Sequence, residues 1–81
     1  MMSLEFKPRA EKDLSSLPKA DQSRILQKIE LLQHGLTGDI KRLTNFTPEY
    51  RLRVGDYRIL FEILEGSLIV YRILHRRDAY R

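Results

Sequence analysis

Tyr50-Arg51-Leu52-Arg53-Val54-Gly55-Asp56-Tyr57-Arg58 reads as two strands joined by a tight turn. Gly55-Asp56 is a permitted two-residue hairpin loop, and its flanks alternate with period two. Such a turn pairs Val54 with Tyr57 and Arg53 with Arg58. Arg51 shares a face with Arg53, because side chains two apart along a strand point the same way. The opposite face carries Tyr50, Leu52, Val54, Tyr57 and Ile59. The hairpin therefore has one apolar face and one face with three guanidinium groups. Like charges directly opposite each other destabilise a sheet. No obvious carboxylate offsets them; Glu62, two positions beyond Leu60, is the nearest. A cluster of this kind suits an anion, and planar guanidinium forks match phosphate. The alternative is a basic face that is merely solvated.

Moving outward toward the C-terminus, the second hairpin strand continues from Tyr57 to Leu64, and Glu65-Gly66 makes the next turn. A last strand runs from Ser67 to about His75. Both strands are apolar on both faces over much of their length, which marks them as central, with helices over one side. Two registers are compatible with the last pair. A strict two-residue loop sets Ile59 opposite Arg72 and puts Arg72 on the helix-covered face; a slip of one residue moves it to the basic face. The tail His75-Arg76-Arg77-Asp78-Ala79-Tyr80-Arg81 leaves the strand at the Arg53/Arg58 end of the sheet. Arg76, Arg77 and Tyr80 can fold over the basic face from there.

Toward the N-terminus, Leu36 to Glu49 reads as a long connection containing Gly38 and Pro48. Leu43 anchors it, leaving Lys41 and Arg42 exposed, either to touch phosphate or to solvate the loop. Ahead of it, Ile25, Leu26, Ile29 and Leu32 form an apolar stripe at helical spacing. Pro18 opens that helix, Asp21 sits in its first turn, and Gly35 is its expected C-terminal cap. An earlier helix runs from Pro8 to about Ser16, with Ala10, Leu14 and Leu17 on one face. Ser3 to Lys7 is expected to be a short first strand. The reading is one α+β domain, residues 1–81. It consists of an N-terminal strand and a helical hairpin packed on a mainly antiparallel four-stranded sheet, in the order β-α-α-β-β-β.

Size and charge narrow the function. A chain of 81 residues buries only about 60% of its unfolded surface, so its core is thin. It has no cysteine and two histidines far apart, His34 and His75. Disulfides are excluded and a conventional zinc site is unsupported. No apolar run approaches the roughly 20 residues of a spanning helix. The N-terminus lacks a secretory signal, so a cytoplasmic location is expected, with no membrane partner. Residues 1–40 hold six basic and six acidic groups, and residues 41–81 hold nine and five, so the whole +4 excess lies in the hairpin half. That asymmetry favours a polyanionic partner, either nucleic acid or an acidic protein segment.

The residue set also limits the chemistry. There is no Gly-rich phosphate loop, no carboxylate cluster to hold magnesium and no Ser-His-Asp or Cys-His arrangement. What remains is a reaction needing no cofactor, in which the substrate supplies the nucleophile, as RNA does through its 2′-hydroxyl. Arginines can stabilise the extra negative charge. They cannot take a proton, because their pKa lies above about 12. His75 is the one nearby side chain that titrates near neutral pH when unperturbed. An aromatic beside arginines can stack a base.

The element order, together with Tyr50–Arg58 and His75-Arg76-Arg77-Asp78-Ala79-Tyr80, resembles the RelE/ParE toxin superfamily, over essentially the whole chain. The resemblance implies the microbial RNase-like RelE fold and the toxin half of a type II toxin–antitoxin pair. RelE-type members are ribosome-dependent, metal-free endoribonucleases (mRNA interferases) that cut messenger RNA in the ribosomal A site. By that resemblance Arg51 and Arg53 orient the RNA and assist deprotonation, Arg58 stabilises the phosphorane-like state, and Arg76, with Arg77 a neighbouring candidate, acts as acid or charge stabiliser. Tyr80 stacks on a base. Lys41, Arg42, His75, Arg77 and Arg81 are candidate RNA contacts. Some relatives carry lysines where Arg51 and Arg53 stand, so a general base is not evident in this chain. The implied partners are an acidic, helical RelB-like antitoxin in a hetero-oligomer, the ribosome and its message. The alternative within the same scaffold is a ParE-like DNA gyrase inhibitor, which binds without doing chemistry.

Overall fold

The computed structural model describes residues 1–35, 38–43 and 48–78. The elements run β1 (Ser3–Phe6), α1 (Pro8–Ser15), α2 (Lys19–Leu32), β2 (Asp39–Arg42), β3 (Tyr50–Val54), β4 (Tyr57–Leu64) and β5 (Ser67–His75). The strands form one five-stranded sheet in the order β1-β5-β4-β3-β2. β1 lies parallel to β5, and every other neighbouring pair is antiparallel. The expected four-stranded sheet therefore gains an edge strand, β2, within the segment read as connection. Asp39-Ile40-Lys41-Arg42 holds a single apolar residue, too little alternation to announce a strand by itself.

Both helices begin at prolines. Pro8 occupies the first turn of α1, and Pro18 stands at the N-cap of α2. A proline there loses no hydrogen bond and pre-sets the helical φ. Helix α2 ends at Leu32, where the Gly35 N–H donates to the Leu32 carbonyl at 3.1 Å. Gly35 thus closes the helix through its amide, while its φ of +157° lies outside the left-handed helical region that the expected cap would use.

The helices cover one face of the sheet. Ala10 from α1 and Ile25, Ile29 and Leu32 from α2 meet Leu52, Val54, Ile59, Phe61, Leu68, Val70 and Ile73 in a single buried cluster. Tyr50 stacks on Phe61, with ring centroids 5.3 Å apart. Leu26, read as part of the helical stripe, is 40% exposed, so α2 buries a narrower band than its sequence suggests. Met2 and Gln33 exchange contacts that tie the N-terminus to the end of α2. The Met2 N–H donates to the Gln33 carbonyl, and Gln33 Nε2 donates to the Met2 carbonyl, both at 2.9 Å.

The two turns differ in type, and only the first matches its residues fully. Gly55 alone has a positive φ in the first turn, which is the type II′ pattern. Glu65 (φ +49°) and Gly66 (φ +78°) are both left-handed in the second, the type I′ pattern. The second loop pairs Leu64 with Ser67 and continues in step to Phe61 opposite Val70. Tyr71 is then an extra residue, and the ladder resumes with Leu60 opposite Arg72 and Ile59 opposite Ile73. A bulge thus reconciles the two registers that the sequence allows. Leu60 sits on the helix-free face yet is only 7% exposed. The register puts Arg51 and Arg72 on either side of it, where their aliphatic stems can cover it.

Candidate functional site

The helix-free face holds the candidate site. The ladder pairs Val54 with Tyr57 and Arg53 with Arg58, as the turn requires. Val54 and Tyr57 close the loop as the hydrogen-bonded pair. Arg53 and Arg58 are therefore the next, narrow pair, with Cα atoms about 4.5 Å apart. Arg51 lies on the same face, opposite Leu60 on one side and Lys41 on the other. Four basic side chains from β2, β3 and β4 thus share one open surface.

Each arginine has a different environment. The Arg51 side chain is only 12% exposed, and its buried Nε finds no hydrogen-bond partner among the described residues. Arg53 is half exposed. Arg58 is half-buried and donates through Nη1 to the carbonyls of Tyr57 (3.2 Å) and Gly55 (3.4 Å). Those contacts fix its guanidinium at the turn without neutralising it. Among the described residues no carboxylate forms an ion pair with Arg58.

A carboxylate that sequence reasoning missed stands beside these arginines. Asp39 on β2 stands opposite Arg53 in the ladder. Its Oδ1 is 3.9 Å from Arg51 Nη1 and its Oδ2 is 4.0 Å from Arg53 Nη1. The only signal for it was the alternation Asp39-Ile40-Lys41, which has meaning once β2 is known to be a strand.

The remaining predicted residues divide. Lys41 joins the basic face. Arg42 points the other way, opposite Tyr50, and pairs with Glu49 at 2.5 Å. Arg76 begins the tail at the hairpin turn, where its N–H donates to the Asp56 carbonyl at 2.7 Å. Arg76 and Arg77 are both exposed. His75 lies opposite Tyr57, on the helix-covered face, and meets that ring edge-on at 5.7 Å. Its Nδ1 accepts the Arg77 N–H at 3.3 Å. His75 is thus separated from the arginine face by the sheet. Tyr80 and Arg81 lie outside the described residues.

Arg72 is withdrawn from the site. Its Nε and Nη2 donate to Asp13 at 2.7 and 3.2 Å, and Asp13 also accepts the Ile73 N–H at 3.0 Å. β1 stops at Phe6, so the β5 edge is open at Ile73, and α1 brings Asp13 across it. On the helix-covered side, Tyr57 donates its hydroxyl to Asp21 at 3.2 Å. Burial, then the Asp21 charge and hydrogen bond, push the Tyr57 phenol up from its usual value. Among the described residues there is no group of three or more His, Cys, Asp or Glu that could hold a metal ion.

Comparison with known proteins gives a consistent family. The sequence model described as "ParE toxin of type II toxin-antitoxin system, parDE" matches residues 4–80. A curated relative, Toxin RelE3 of Methanocaldococcus jannaschii, is 36% identical and covers 98% of this chain and 96% of its own. The crystal structure of a RelB-RelE antitoxin-toxin complex from Methanococcus jannaschii superposes with a TM-score of 0.79 at 35% identity, over 94% of each chain. The isolated E. coli RelE toxin shares the fold, with a TM-score of 0.80 at 15% identity over 93% of this chain and 84% of its own.

Proposed function

The chain belongs to the RelE/ParE toxin superfamily as a RelE-like toxin of a type II toxin–antitoxin system, and from that premise we propose that it is an endoribonuclease that cuts messenger RNA on the ribosome. Residues 1–81 act as one domain, in the cytoplasm. In this reading the RNA 2′-oxygen attacks the adjacent phosphorus and the bond from phosphorus to O5′ breaks. The products are a 2′,3′-cyclic phosphate and a 5′-hydroxyl.

The observation that carries the reading is the grouping of Arg51, Arg53 and Arg58 on one face, with Arg58 held, among the described residues, by backbone carbonyls and not by a carboxylate. A guanidinium fixed by carbonyls keeps its full charge for an incoming phosphate and is already in place before reaction. A phosphate oxygen would also satisfy the buried Arg51 Nε. Arg51 and Arg53 grip the scissile phosphate, Arg58 stabilises the charge that develops on it, and Arg76 sits by the leaving oxygen. Lys41 and Arg77 contact flanking phosphates, and Tyr80 stacks on a base. Arg42 and His75 face away and have no part in the site.

The partner in the cell is an acidic, helical RelB-like antitoxin, a reading supported by the RelB-RelE complex of the 35% identical neighbour. Translation of a defined message in a cell-free extract, with its ends mapped, tests the activity. Cleavage within translated codons supports it. Intact message together with gyrase-linked DNA breaks would instead favour the ParE-like reading.

A further inference from the structure

We propose that Asp39 is the general base of this site, the group that takes the proton from the RNA 2′-hydroxyl; this rests on the endoribonuclease reading above. The reaction needs a proton acceptor beside the scissile phosphate, and the arginines there cannot serve. His75 is on the other side of the sheet. Two carboxylates lie on the helix-free face among the described residues of β2 to β4, Asp39 and Glu62. Glu62 already accepts the Tyr71 hydroxyl at 2.9 Å. Asp39 remains.

Its placement fits the task. Asp39 stands between the two arginines assigned to the phosphate, at 3.9 and 4.0 Å from their Nη1 atoms. Those separations exceed the roughly 2.7–2.9 Å of a charge-assisted hydrogen bond. The Asp13–Arg72 contact of this same chain, at 2.7 Å, shows what a closed pair looks like. Both Asp39 oxygens are thus held near the arginines but keep lone pairs available. The side chain is 58% exposed, so a ribose can reach it.

The step balances without a further reactant. The 2′-hydroxyl proton moves to an Asp39 oxygen as the 2′-oxygen bonds to phosphorus. The bond to O5′ breaks, O5′ takes a proton from water, and Asp39 returns its proton to solvent.

The test uses the full-length toxin on ribosomes programmed with a short message. Single-turnover cleavage and co-sedimentation of toxin with those ribosomes are measured side by side. Asp39→Asn is expected to slow cleavage about 100- to 10,000-fold with co-sedimentation undiminished, and Asp39→Glu to recover part of the rate. Cleavage by Asp39→Asn within about tenfold of the parent, or a loss matched by equal loss of co-sedimentation, overturns the assignment while leaving the endoribonuclease reading intact. Intact message with the parent protein overturns both.

Discussion

Arg72 reaches Asp13 with two donors, Nε at 2.7 Å and Nη2 at 3.2 Å, and fastens α1 to the last strand across 59 residues of sequence. The same carboxylate accepts the Ile73 N–H, so one side chain completes both the helix contact and the open edge of β5. Burial pushes the Asp13 carboxyl up. The Arg72 hydrogen bond, the Ile73 N–H and the charges of Arg72 and Arg9 together outweigh it and leave the carboxyl below the ordinary 3.8. A carboxyl lowered by folding stabilises the fold above its unfolded value, and that stabilisation fades as pH falls through the folded value. Asp13→Asn is therefore expected to cost about 1–3 kcal/mol at pH 7. Urea unfolding should show the gap between variant and parent narrowing below about pH 4.

Arg58 differs from its neighbours in having carbonyl partners in place of a carboxylate. Arg58→Ala should lower message cleavage roughly 100- to 1,000-fold. Its circular dichroism spectrum and antitoxin binding should match the parent, because no core residue depends on it. Retained toxicity in Arg58→Ala would show that the charge-stabilising role belongs elsewhere.

Glu65 holds a left-handed backbone, φ +49°, in a type I′ turn that favours asparagine or glycine. The strain relieved by Glu65→Asn should stabilise the protein by roughly 0.5–1 kcal/mol, since a side chain in this region costs about 1–2 kcal/mol. The readout is the denaturant midpoint at unchanged slope. Cleavage should not change, because the turn lies at the end of the sheet opposite the arginine pair.

Gly38 precedes β2 with φ +108°, and a Cβ there would come within 3.2 Å of Leu52 Cδ1. Gly38→Ala should cost about 1–3 kcal/mol through backbone strain. It should also weaken the β2–β3 pairing that places Asp39. Amide exchange in β2 should speed up more than in β4 or β5.

The hairpin was the most legible part of the sequence. The turn Gly55-Asp56 and the alternation around it determine that Arg51, Arg53 and Arg58 share a face, and the observed register agrees. The helix boundaries were nearly as plain, because Pro8 and Pro18 mark both starts. Two features were not legible. β2 has one apolar residue in four and gains its stability from pairing with β3, a non-local contact that leaves no local pattern. The bulge at Tyr71 falls in a strand apolar on both faces, where a one-residue shift exchanges one buried side chain for another and changes no periodicity. Asp39 and the fate of Arg72 depended on those two features. The carboxylate facing the arginines, and the arginine taken away from them, therefore emerged only with the fold.

The placement of β5 also governs when the sheet can close. The last-made strand is the one inserted between β1 and β4, so the first strand has no neighbour until Ser67–His75 has been synthesised. A nascent chain short of those residues has the arginine hairpin but lacks Leu68, Val70 and Ile73, the β5 share of the core over which the helices close. A chain that stops before Ser67 therefore leaves β1 without a partner strand, and the sheet closes only once β5 has been made.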